Sequence, residues 1–237
     1  MYESSILDTF TKADGALPAG WATPANISYL GANAAVVRGN RFAGATASTR
    51  GSAYWTTALA GAQQHRVTYQ GTVNLTLDWF GIWMTSIPTG AGNPGNGYSF
   101  DITPSRSVNG VSVCDVVPYQ YRASGQYALD GGGVFRSAGL VAGEIVALTW
   151  QPDLRKMTLE AWSGNVARIL MVCSDKAFSA PSYQSLTEPL FPCLSCNPVA
   201  DNILLDDWGV NALAGGTFVG ESSSSWALKL TETKLPT

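Results

Sequence analysis

His65-Arg66-Val67-Thr68-Tyr69-Gln70-Gly71-Thr72-Val73-Asn74-Leu75-Thr76 alternates strictly between two kinds of residue. On an extended chain Val67, Tyr69, Val73 and Leu75 fall on one side. Arg66, Thr68, Gln70, Thr72, Asn74 and Thr76 fall on the other. A period of two is the pattern of a half-buried antiparallel strand. The next run, Asp78-Trp79-Phe80-Gly81-Ile82-Trp83-Met84, is apolar on both faces, which predicts a central strand covered on each side.

The same reading extends down the chain. Met157-Thr158-Leu159-Glu160-Ala161-Trp162 and Val166-Ala167-Arg168-Ile169-Leu170-Met171-Val172 flank Ser163-Gly164-Asn165 and predict a hairpin. Ile145-Val146-Ala147-Leu148-Thr149-Trp150 precedes it across a Pro-initiated turn, Gln151-Pro152-Asp153-Leu154-Arg155. Turn signals recur at Gly39-Asn40, Asn96-Gly97, Asn109-Gly110 and Asp130-Gly131. No window of helical length carries a 3.6-residue period with caps, and a short turn over 174–179 is the most helix the pattern predicts. Many short strands with regular turns predict an all-β sandwich or barrel.

Composition narrows the function. Hydrophobic residues are 46% of 237, enough for a sizeable core, and charged residues are 13%. The net charge is −3 and the 14 basic residues are scattered, so no basic patch is available for a phosphate backbone and no nucleic-acid partner is expected. No run approaches the ~18 apolar residues of a membrane span, so no membrane insertion is expected. Met1-Tyr2-Glu3-Ser4-Ser5 has neither a basic n-region nor an apolar h-region. The expectation is synthesis in a cytoplasm without a signal peptide.

Two segments lie near the ends of the main body. Leu7-Asp8-Thr9-Phe10-Thr11-Lys12-Ala13-Asp14-Gly15-Ala16-Leu17-Pro18-Ala19-Gly20-Trp21 runs a short strand into Ala-Asp-Gly, a small-residue turn and Trp. Ile203-Leu204-Leu205-Asp206-Asp207-Trp208-Gly209-Val210 is a strand late in the chain. Together they resemble the concanavalin A-like or LamG-like jelly-roll domains, variants of which occur in bacterial modules and in tailed-phage virion proteins. The resemblance spans roughly residues 6–210. It implies an all-β, antiparallel, two-sheet jelly-roll β-sandwich, with the late Asp-Asp-aromatic strand beside the opening one. The domain expected is 1–210, with a Pro-rich loop at 179–200 holding Pro181, Pro189, Pro192 and Pro198. Residues 211–237 form a C-terminal extension, expected to be an extra strand.

Catalytic signals are weak. Jelly-roll glucanases carry their carboxylates on one strand as Glu-x-Asp-x-x-Glu, and this chain has no such segment. Glu160 is the strand-borne glutamate and reads as a solvated face position. His65 is the one histidine and opens an alternating strand, which points to a structural role. There is no Gly-x-Ser-x-Gly elbow. Gly90-Ala91-Gly92-Asn93-Pro94-Gly95 matches G-x-G-x-x-G, but a turn and a strand follow it where a pyrophosphate site needs a helix. Cys114 and Cys173 read as small buried hydrophobes. Cys193-Leu194-Ser195-Cys196 leaves free thiols, a local disulfide or half a zinc site as alternatives. No catalytic residue, metal or cofactor is expected.

Candidate binding residues follow from sugar chemistry. Aromatic faces take the C–H face of a pyranose, and amides bind its hydroxyls. Tyr119, Tyr121 and Tyr127 are the candidate platforms, and Asn93 and Asn96 the candidate amides. Trp21, Trp79, Trp150 and Trp208 read as core. Trp226, Leu228 and Leu230 are the candidate partner-binding residues, because an apolar strand behind a Gly/Ser lead can add to a neighbour's sheet. The resemblance implies a non-enzymatic structural protein of a phage virion, either a minor tail, tail-tip or capsid-decoration subunit. Its expected partners are other virion proteins and further copies of itself. The alternatives are a carbohydrate-binding module for host-surface glycan and, less favoured by the carboxylate pattern, a glycoside hydrolase.

Overall fold

The fold is seen in a computed structural model of the chain. It describes residues 7–24, 34–46, 50–71, 78–86, 96–122, 125–129, 133–174, 188–197, 205–213 and 217–218; for 122, 125–128, 174 and 217–218 the description is of the backbone. Along the chain run β1 (Gly15–Ala16), β2 (Trp21–Ala22), β3 (Ala35–Val37), β4 (Phe42–Gly44), β5 (Gly51–Trp55) and β6 (Leu59–Ala60). Then come β7 (Gln63–Tyr69), β8 (Trp79–Thr85), β9 (Gly97–Val108), β10 (Val111–Arg122), β11 (Gly125–Ala128) and β12 (Phe135–Ala138). The last are β13 (Ile145–Gln151), β14 (Lys156–Ser163), β15 (Val166–Ser174), β16 (Phe191–Asn197), β17 (Leu205–Ala212) and β18 (Thr217–Phe218).

The strands form two facing sheets. The first is ordered β1-β3-β4-β17-β7-β13-β14-β15. The second is ordered β11-β10-β9-β8-β16-β5-β2, with β12 also on β10. Every named strand pairing is antiparallel. The chain therefore folds as an all-β, two-sheet jelly-roll sandwich. Phe42, Val67, Phe80, Ile82, Phe100, Leu148 and Trp208 are among the fully buried side chains between the sheets.

The predicted elements map closely. β8 lies in mid-sheet between β9 and β16. The β14–β15 hairpin closes at Ser163↔Val166, with Gly164 at φ +57°. Asn109 and Gly110, at φ +51° and +80°, join β9 to β10 as a two-residue turn, and Gly39-Asn40 does the same between β3 and β4 at +58° each. Both positions of such a turn need the left-handed region that Asn and Gly tolerate best. The turn at 152–154 is a short 3-10 turn ended by Arg155 at φ +50°, whose N–H donates to the Pro152 carbonyl at 2.9 Å. The short turn expected over 174–179 and the Asp130-Gly131 turn lie outside the described residues, Ser174 apart.

The opening segment lies beside the late strand as expected. Asp8 bridges Trp208, with Trp208 N donating to Asp8 O at 2.8 Å and Leu7 N to Trp208 O at 2.9 Å. The Asp8 carboxylate accepts from Phe10 N at 2.8 Å and Trp21 Nε1 at 2.7 Å. Asp14 accepts from Gly39 N at 2.7 Å. The Trp21 ring then packs 4.6 Å from Trp208 and 5.5 Å from Trp55. The two aspartates of the opening motif thus act as backbone and indole anchors.

Three expectations are corrected. β7 is not half-exposed: His65, Val67 and Tyr69 face the core, and Arg66 and Thr68 on the polar side are also buried. β7 lies between β17 and β13, and Gln64 Nε2 donates sideways to Thr149 Oγ1 at 2.9 Å. The Pro-rich stretch is not wholly loop, because 191–197 is β16, between β8 and β5. Pro192 fits because it faces Met84 on one side while the ladder to β5 starts one residue later, at Cys193↔Tyr54. Pro118 in β10 sits between the stretch paired with β12 and the stretch paired with β11, where no N–H is needed. Finally, the closing strand β17 continues to Ala212, past the expected boundary at 210. The extension begins by folding back: Leu213 N donates to Ala62 O at 2.9 Å, and β18 pairs with β6.

Candidate functional site

Alternation places Phe80, Ile82 and Met84 of β8 in the core, so Trp79, Gly81, Trp83 and Thr85 face outward from the second sheet. The neighbouring strands follow the same register. Asp101, Gly81, Ser195 and Ser52 form one row across β9, β8, β16 and β5. Tyr119, Ser99, Trp83, Cys193 and Tyr54 form the next, starting on β10. Trp83, Tyr121 and Cys193 make a second buried cluster on this outer face, with Tyr54, Trp79 and Tyr119 packed half-buried against it.

Trp83 is the floor. Its ring lies parallel to Tyr121, with centroids 5.5 Å apart and planes at 14°. It lies over Gly81: a Cβ there would collide with the indole nitrogen and stand 2.7 Å from Ser195 Oγ. The Ser52 and Ser195 hydroxyls are buried and make no hydrogen bond among the described residues.

Two charges stand on this floor. The Arg50 guanidinium lies 4.5 Å from the centroid of Trp79 and 5.8 Å from that of Trp83, a cation–π placement. Burial lowers its pKa from the ordinary value, and attraction to Asp101 partly restores it. Asp101 accepts from Ser99 Oγ at 2.8 Å. Burial pushes its pKa up to about 6, against the Ser99 bond and the pull of Arg50. Burial raises the Tyr119 pKa, and the Asp101 charge raises it further. A half-buried carboxylate, a guanidinium on an aromatic face and half-buried tyrosines are the donors, acceptors and apolar surface that a polyhydroxyl ring needs.

The residues expected from sequence divide. Tyr119 and Tyr121 are in this site, but Tyr121 is buried in the floor, and Tyr119 has the more open ring. Tyr127 is on β11 opposite Gln120, out of register with both, and its side chain lies outside the described residues. Asn96 is at the base of the β8–β9 hairpin. Its backbone N donates to Ser86 Oγ at 2.9 Å, and its amide to Glu188 Oε1 at 3.1 Å. Asn93, Trp226, Leu228 and Leu230 lie outside the described residues. Trp79, expected in the core, is on the outer face under Arg50. Arg50, Asp101 and Trp83 had no role assigned from sequence. The signal for Asp101 is present in Tyr98-Ser99-Phe100-Asp101-Ile102, where inward aromatics alternate with two polar residues.

Among the described residues other chemistry finds no constellation. Glu160 is half-buried, accepts from Trp162 Nε1 at 3.1 Å and pairs across to Ala147 and Ile169, not to a carboxylate. His65 is in the core beside Gln63 Oε1 at 2.7 Å, and burial drives its pKa down to about 3. None of the four cysteines is in a disulfide, and all four are buried. Cys193 and Cys196 are three residues apart on one strand, so they face opposite sides: Cys193 joins the outer cluster and Cys196 the core. Neither a local disulfide nor a shared metal is compatible with that placement. Among the described residues no three His, Cys, Asp or Glu side chains converge as a metal site.

No family model and no curated protein matches the chain. Solved structures do. The potassium-bound Emp46p carbohydrate recognition domain is similar at a TM-score of 0.51 and 12% identity, covering 81% of this chain and 88% of that one. The Ca2+/Man2-bound VIP36 exoplasmic/lumenal domain is similar at a TM-score of 0.51 and 14% identity, covering 76% and 79%. At these identities the likeness establishes the fold: this chain is a lectin-like jelly-roll sandwich.

Proposed function

We propose that the protein is a non-catalytic carbohydrate-binding sandwich that takes glycan on the outer face of its second sheet. The observation that carries the reading is Asp101 and Arg50 held on the Trp79–Trp83–Tyr121 floor, with Tyr119 half-buried beside them. Carboxylate, guanidinium and aromatic carbon are the three kinds of surface that sugars use. The lectin-like neighbours agree with this, since the solved structures it resembles include a carbohydrate recognition domain and a Ca2+/Man2-bound domain. The setting in a phage virion, with other virion proteins and further copies of the chain as partners, rests on the sequence resemblance alone. A glycan-binding subunit of a particle satisfies both readings.

The test is a glycan array probed with the whole chain, followed by product analysis of every bound glycan. Binding that is lost in Tyr119→Ala and Trp79→Ala, with no product formed, is the expected result. Cleavage products, or binding indifferent to both substitutions, would overturn the proposal.

A further inference from the structure

Building on the glycan-binding reading, we infer that Arg106 and Arg136 form a carboxylate subsite, which takes the acid group of a uronate or sialate in a glycan lying along β10 from Tyr119. Cys114 and Val116 are core residues, so alternation puts Asp115, Val117 and Tyr119 on the outer face of the second sheet. Tyr119 is four residues along the strand from Asp115, about 13 Å away at the rise of an extended chain, a distance that a short oligosaccharide spans. Arg106 of β9 lies opposite Val113, and Arg136 of β12 opposite Asp115. Phe135 packs against the core, so Arg136 faces out as well. The three charged side chains thus meet on the face that carries Tyr119.

The contacts leave donors to spare. Arg136 donates to Asp115 through Nε at 2.7 Å and Nη2 at 3.1 Å, and Arg106 donates through Nη2 at 2.7 Å. Asp115 Oδ2 accepts from both, so the two guanidiniums lie side by side. Among the described residues Asp115 is the one acceptor for both side chains. A guanidinium has more N–H groups than one carboxylate can fill, so the Nη1 group of each arginine stays open. The Asp115 side chain is 10% exposed and those of Arg106 and Arg136 are 38% and 46%, so an incoming group meets the guanidiniums before the carboxylate. The Arg136 hydrogen bond holds the Asp115 pKa below its ordinary value against the opposing effect of burial, and Arg106 adds to this. Within the triad one positive charge is therefore balanced and one is not. A sugar carboxylate fits that remainder: its planar oxygen pair accepts from a guanidinium fork with charge on both partners. Asp115 already orients both arginines, so little side-chain freedom remains to be lost on binding. A neutral hydroxyl brings no counter-charge here, and an amino sugar meets two cations.

The experiment offers oligogalacturonate, oligomannuronate and sialyllactose to the whole chain at pH 7.5, each as the free acid and as the methyl ester, two forms that differ in charge and little else. The expected result is that at least one acid binds about tenfold or more tighter than its ester, the scale of hydrogen bonds to charged groups. That advantage should shrink when NaCl is raised from about 0.05 to about 0.5 M. In the triple variant Arg106→Gln, Asp115→Asn, Arg136→Gln, which strands no buried charge, the acid should fall to within about threefold of its ester while the ester binds as before. Where the triple variant does not fold, Arg136→Lys, which keeps the charge and loses the fork, should still weaken the acid and spare the ester. Esters bound as well as all three acids would overturn the inference and leave glycan binding standing. So would an acid preference untouched by these substitutions, acid and ester weakened together, or a hexaglutamate peptide bound as tightly as the best acid. Failure of every acid, every ester and every neutral glycan of the array would overturn glycan binding itself.

Discussion

Single residues set this protein's response to acid. His65 is neutral in the folded state down to about pH 3, while the unfolded chain takes a proton near 6.5. Above pH 6.5 it is neutral in both states and its contribution is whole. Below that the unfolded chain binds the extra proton, so stability falls by about 1.4 kcal/mol per pH unit until about pH 3. Asp101 works the other way. Its folded pKa of about 6 lies above the ordinary 3.8, so acidification from 6 to 4 favours the folded state. Urea midpoints at pH 7, 6, 5 and 4 should show the two offsets. His65→Gln should lose less stability on acidification than the parent, and Asp101→Asn should lose more. Equal slopes in all three would mean neither burial acts as described. Gly81→Ala is a second residue-scale prediction. The added methyl displaces the Trp83 indole, at a cost of about 1–3 kcal/mol for an overpacked site. The check is a lower urea midpoint with loss of the near-UV signal of the Trp83–Tyr121 stack.

At the scale of elements, the sandwich is fastened where β15 meets the turn after β12. Arg168 donates to Ala138 O at 2.6 Å, Gly139 O at 3.1 Å and Glu144 Oε2 at 2.8 Å. Glu144 also accepts from Val141 N at 2.9 Å and is nearly buried. Arg168→Ala therefore strands a carboxylate, and a loss of about 2–3 kcal/mol is expected in urea unfolding. Adding Glu144→Gln should recover part of it, whereas strict additivity would show that the pair does not couple. The cysteines give a second element-scale prediction. Burial raises Cys114 and Cys196 to about 12 and pushes Cys193 up as well, so none of these three offers a thiolate at neutral pH. A thiol-reactive dye should label the native chain far more slowly than the chain in urea, which exposes all four. Rapid native labelling of Cys193 would place β16 outside the sheet.

Across the whole molecule, the C-terminal half of the chain completes sheets begun by the N-terminal half. β17 is inserted between β4 and β7, and β16 between β8 and β5. Such non-local pairing means that neither half has a finished core. A chain ended after Ala212 keeps both inserted strands and loses the Leu213–Ala62 bond and the β18–β6 pairing. It should fold with a modestly lower melting temperature. A chain ended after Leu204 loses β17, and with it Trp208 and Val210 from the core. It should aggregate on expression. A folded second fragment would contradict the strand order.

Sequence by itself determined the local pattern. The period of two at Val67 and Tyr69, the apolar run at Trp79–Met84, the Asn-Gly turn at 109–110 and the hairpin at 163–166 all follow from side-chain alternation and left-handed turn residues, which act within a few positions. The opening and late motifs added that Asp8 lies beside Trp208. What tertiary structure decided was which of two apolar faces becomes core. Trp79 and Trp83 look like core residues in sequence, since β8 is apolar throughout, yet the sheet assigns Phe80, Ile82 and Met84 to the interior and the tryptophans to the outside. The same choice separated Cys193 from Cys196 and turned a Pro-containing stretch into a central strand, because a proline is excluded only where a neighbour needs its N–H. Arg50 and Asp101 are 51 positions apart and come onto one face only because β5, β16, β8 and β9 lie side by side. A site assembled across strand register leaves no spacing in the chain to read.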